Sequence, residues 1–147
     1  MTADHLIPVA ALLDLEDKAR HAARALVPLV AATFRAQFPT GAYLVLARSS
    51  DGELSFDSVR DADGGSVYEF PEAWWAVRLP HPLPDDLDSL WGAEKGRDLL
   101  VIRELLERID HYGVLRFLPD QAMRPGEDTL EKTPVGIPLE PAQGATC

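Results

Sequence analysis

The chain has 147 residues, 46% of them hydrophobic, and its 14 basic and 24 acidic residues give a net charge of -10. This length is typical of one domain, and the apolar content suffices for a core without disulfides or metals. The negative charge argues against nucleic acids and anionic membrane surfaces as partners, because both require a basic face. It is compatible with a basic protein partner, although acidity also serves solubility alone.

The ends of the chain bear on its compartment. The single cysteine, Cys147, is the last residue, so no disulfide can form within one chain. Residues 1–5 lack the positive region and apolar core of a secretion signal, and no apolar run approaches the roughly 20 residues that span a bilayer. We therefore predict a cytoplasmic protein. Lysine is scarce and alanine frequent, which is typical of GC-rich bacterial genomes.

The first long element is predicted to be a helix over residues 12–38. Mostly apolar residues recur at alternating spacings of three and four, which defines one face of a helix. These residues are Leu12, Leu15, Ala19, Ala22, Leu26, Leu29 and Thr33. Pro28 removes one backbone hydrogen bond and clashes with the preceding turn. The pattern therefore predicts either a kink at Pro28 or two helices that meet there.

Three strands are predicted next, as an antiparallel meander. Residues 42–49 and 53–60 flank Asp51-Gly52, which is a strong signal for a hairpin turn. A second turn at residues 61–65 leads into a third strand at residues 66–70.

The hairpin turn also predicts a register. With Asp51 and Gly52 as the two turn residues, Ala47 lies opposite Phe56 and Val45 lies opposite Ser58. One face of the hairpin is then expected to be buried. Its residues are Tyr43, Val45, Ala47, Leu54 and Phe56.

The following stretch is less regular. Residues 72–79 fit either a short helix or a fourth strand, and we favour the helix. The prolines of residues 80–84 predict an extended linker, and residues 85–91 predict a short helix with an aspartate cap.

A second long helix is predicted from Arg97 to about His111, since apolar residues again recur at three and four. Arg103 and Glu107 form an i,i+4 charge pair on its surface. Residues 114–118 add a short strand. The element order α-β-β-β-(α)-α-β predicts an α+β fold in which two long helices pack on one face of a mainly antiparallel sheet of three to four strands.

The domain is predicted to comprise residues 1–118. Residues 119–147 are rich in proline and glycine, which leaves no room for regular structure, so we expect a tail that is disordered. Alternatively, the tail is extended and packed on the domain or on a partner. Residues 135–139 are apolar enough for such packing.

No stretch carries a catalytic, metal or cofactor signature, and we predict none of the three. Asp57, Asp61 and Asp63 precede Gly64 with the alternation of a calcium loop, but the count fails because the closing glutamate would fall on Phe70. We interpret them as turn residues. No histidine pair has metal-ligand spacing, and neither a nucleophile motif nor a phosphate loop is present.

The remaining feature is a concentration of aromatic residues. Trp74 and Trp75 are adjacent, so they cannot both point inward, and one is expected to be partly exposed. Core packing and a binding surface are competing interpretations of this segment. If it binds a ligand or a partner, the candidate residues are Tyr68, Trp74, Trp75, Arg78, His81 and Trp91.

Three functional hypotheses follow. The leading one is a non-catalytic interaction protein, such as an immunity protein, an antitoxin, an inhibitor or a subunit of an assembly, with residues 51–63 and 74–91 as its contact surface. The second is a small-molecule-binding protein or enzyme with an aromatic pocket between sheet and helices, in which Arg78 or Arg116 binds an anionic group. The third is a structural homodimer that exchanges the first helix or the tail.

Overall fold

The computed structural model describes residue 6 and residues 8–93, 95–119 and 132–139. The elements in chain order are α1 (Val9–Gln37), β1 (Tyr43–Ser49), β2 (Leu54–Arg60), β3 (Ser66–Glu69), a 3-10 turn (Trp74–Ala76), α2 (Asp85–Trp91), α3 (Leu99–Asp110), β4 (Arg116–Phe117) and β5 (Lys132–Pro138). The strands form one sheet in the order β3-β2-β1-β5-β4, and each neighbouring pair is antiparallel. The α+β class, the antiparallel sheet and the two long helices are as predicted.

Helix α1 is a single element of 29 residues, about 44 Å long. It continues through Pro28, so the predicted alternative of two separate helices is wrong. Pro28 is exposed, and its ring therefore displaces no core contact. Thr33, one turn further along, donates a 2.7 Å hydrogen bond from its hydroxyl to the carbonyl of Leu29.

The hairpin between β1 and β2 closes with three loop residues, where the sequence predicted two. The amide of Ser49 donates to the carbonyl of Glu53 at 2.9 Å, and Gly52 has a φ of 85°. This is a turn followed by a left-handed residue, in which glycine avoids a steric penalty.

The longer loop moves the register by one residue near the turn. Leu46, instead of Ala47, lies opposite Phe56. Asp57 is then bulged out of the ladder, which restores the predicted pairing of Val45 with Ser58.

The buried face of β1 is therefore the opposite of the predicted one. Leu44 and Leu46 pack in the main core with Leu54 and Phe56, whereas Val45 packs on the other face of the sheet. The prediction holds for β2 and fails for β1, because a slip of one residue exchanges the two faces of a strand.

The main core lies between the sheet and the helices. Phe34 of α1 is fully buried, and its ring centroid is 5.8 Å from that of Phe56 and 6.2 Å from that of Phe70. From α3, Leu99, Ile102 and Leu106 are fully buried. This places α1 and α3 on the same face of the sheet.

Part of the predicted tail is a strand within the sheet. β5 pairs with all seven residues of β1, from Tyr43 with Pro138 to Ser49 with Lys132. Val135 and Ile137 of β5 are buried in the main core. The expectation of no regular structure is thus wrong for residues 132–138, and the sheet gains a fifth strand. Residues 120–131 and 140–147 of the predicted tail lie outside the described part.

Two prolines are tolerated inside β5 because of its register. The amide of Leu139 donates to the carbonyl of Ala42 at 2.8 Å. Since bonding alternates along an antiparallel ladder, odd-numbered residues of β5 bond to β1. Pro134 and Pro138 are even-numbered, so the N–H that each lacks would have pointed away from β1.

Residues 72–79, where we favoured a helix, contain only the 3-10 turn. Beyond it Arg78 forms an isolated antiparallel bridge with Asp98. The chain therefore runs extended toward the start of α3, and the helix prediction is correct for a single turn alone.

Candidate interaction surfaces

The predicted aromatic residues form a row of ring contacts along the core. Tyr68 stacks on Phe38 at a centroid distance of 4.9 Å. Trp74 packs edge-on against Phe56 at 5.2 Å and against Trp75 at 5.8 Å. Trp74 is 8% exposed and Trp75 is 55% exposed. The prediction that one of the adjacent tryptophans is partly exposed is confirmed, and it is Trp75.

Trp91 lies apart from this row. It is buried at the end of α2, where its indole nitrogen donates a 2.9 Å hydrogen bond to the hydroxyl of Thr33. A side-chain carbon at Gly96 would approach the indole within 2.5 Å, so the loop lies directly on the ring. Trp91 is thus a packing residue that ties α2 to α1.

Arg78 lies just before the linker that leads to α2, and His81 lies within that linker. Arg78 is largely exposed, and its Nε lies 2.9 Å from a carboxylate oxygen of Asp98. His81 is held by its backbone: its amide donates to Gln37 Oε1 at 2.8 Å, and its carbonyl accepts from Gln37 Nε2 at 2.7 Å. Gln37 is buried and was not predicted, since nothing local relates it to a residue 44 positions away.

The six predicted binding residues therefore do not converge on one pocket. Trp74 and Trp75 line one groove, and Trp91 lines a different cavity beside α3. The side chain of Arg116, the alternative anion-binding residue, lies outside the described part.

The acidic hairpin is held by local hydrogen bonds. Asp61 Oδ1 accepts from the amides of Asp63 and Gly65, both at 2.9 Å, as turn aspartates commonly do. Asp57 Oδ2 accepts from the buried Arg60 at 3.1 Å and from the Ser58 hydroxyl at 2.8 Å. Within the described residues, no group of three or more histidine, cysteine or acidic side chains could hold a metal ion.

A groove of about 440 Å³ lies between the hairpin, the 3-10 turn and α3. Trp75 and Leu100 supply its exposed apolar wall. The guanidinium of Arg103 lies 5.6 Å from the centroid of Trp74, and its Nη1 bonds Glu107 at 3.1 Å, as the predicted charge pair. Arg103 Nε is buried and has no hydrogen-bond partner among the described residues.

A second surface is the N-terminal half of α1, residues 9–22, which we call the arm. None of these residues is buried, and the first buried residue of the helix is Ala23. Large apolar side chains on the arm are nevertheless exposed, and they are Val9, Leu12, Leu13 and Leu15. Leu12 and Leu15, at 47% and 58% exposure, begin the apolar stripe that the sequence predicted.

The stripe continues from the arm into the core. Of the stripe residues beyond the arm, Leu26 and Leu29 are partly buried and Thr33 is buried, where α1 contacts α2, α3 and β5. Spacings of three and four are those of a helix seam that packs against another helix. The arm therefore presents a packing surface that the domain itself does not cover.

Comparison with known proteins gives no further assignment. No protein-family model matches this sequence, and searches of curated proteins and of solved structures find no match. Across the described residues, no helix combines the length and apolar character required to cross a membrane.

Proposed function

We propose that this chain is a non-catalytic interaction protein that docks on a protein partner through the arm of α1. The observation that carries the proposal is the pair of exposed leucines, Leu12 and Leu15, at the start of the apolar stripe of this helix. Contiguous exposed apolar patches are uncommon on monomers and mark interaction sites.

The energetics favour a covered arm. Complete burial of a leucine side chain contributes about 1.5–3 kcal/mol, so Leu12 and Leu15 of the stripe are a substantial source of affinity. A helical segment of this length is marginal in water without tertiary packing. A partner that covers the stripe would supply that packing, as when an amphipathic helix binds in a groove.

The test compares two variants of the arm. Leu12→Glu with Leu15→Glu places charges on the stripe, and Ala10→Glu with Ala25→Glu adds the same charges at exposed positions off the stripe. Both proteins are used as bait in lysate of the native source, with quantitative mass spectrometry of what is retained. We expect the wild type and the control to retain the same partner and the stripe variant to lose it. Equal retention by all three would contradict docking through the arm.

A second candidate function is supported by the groove beside Trp75. The side chain of Arg103 is 24% exposed and lines the groove beside the exposed ring of Trp75, an arrangement that suits a small aromatic or aliphatic carboxylate. The expected outcome is a higher melting temperature with such a ligand, because a ligand that binds the native state stabilises it by mass action.

The matched variants for the groove are Arg103→Gln and Arg78→Gln, since Arg78 is an exposed arginine outside the groove. A carboxylate library is screened by thermal shift against all three proteins. A ligand of the groove shifts the wild type and Arg78→Gln alike and leaves Arg103→Gln unchanged. The absence of any shift across the library would remove this candidate.

A further inference from the structure

We draw no further inference here: the strongest candidate, the apolar groove between α1, α2 and α3 that is lined by Leu26, Leu29, Leu90 and Val101, continues the stripe already described, and nothing among the described residues shows what covers it.

Discussion

The two halves of α1 have the same sequence pattern and different surroundings. Residues 23–37 bury Val30, Phe34 and Gln37 against the domain, whereas residues 9–22 bury none of their side chains. The apolar stripe runs through both halves without a break in its spacing. Periodicity therefore indicates which face of a helix is suited to packing and leaves open what covers that face.

Length explains why only one half is covered by the domain. A helix of 29 residues spans about 44 Å, whereas the seven-residue strands β1, β2 and β5 span about 24 Å. The helix must therefore extend past the sheet on which it packs. If the apolar stripe ended where the sheet ends, the part of α1 that extends past the sheet would be polar. Instead, Leu12 and Leu15 of the stripe lie on that part.

The largest expected effect comes from truncation of one side chain in each half of α1. Phe34→Ala should lower the free energy of unfolding by about 3–5 kcal/mol, because the ring is fully buried between two other aromatic rings. Leu15→Ala should change it by less than about 0.5 kcal/mol at concentrations where the chain is monomeric. Urea unfolding followed by tryptophan fluorescence measures both. Similar losses in the two variants would mean that the arm is covered within one chain.

A smaller effect is expected from a substitution in residues 23–37, at the contact between α1 and α2. Thr33→Val removes the hydroxyl that accepts from the indole of Trp91 and leaves a buried donor unpaired. We expect a loss of about 1–3 kcal/mol in the free energy of unfolding. Thr33→Ser keeps the hydroxyl and should restore part of that loss. A valine variant as stable as the wild type would show that packing of the threonine methyl, and not the hydrogen bond, fastens α2 to α1.

The candidate site was only partly visible in the sequence. Adjacent Trp74 and Trp75 predict one exposed ring on geometry alone, and Trp75 is that ring. The stripe that begins at Leu12 and Leu15 was also read from spacing. The sequence does not show that the stripe is left uncovered before Ala23, because the spacing of its residues is the same on both sides of Ala23. Arg103 was assigned only to a surface ion pair, since its burial beside Trp74 depends on how α3 meets the 3-10 turn.

By itself, the sequence determined the elements that depend on local chemistry. Helical periodicity defined α1 and α3, and turn residues defined the meander of β1 to β3, because these signals arise within a few residues of one another. Tertiary structure alone decided the place of β5. Its two prolines argue against a strand, but they are tolerated because the register places the missing N–H of each on the side away from β1. It also decided which face of β1 is buried, through one additional loop residue, and it left the arm uncovered. Pairing across some ninety residues and the extent of a sheet depend on the whole chain, and no short pattern encodes them.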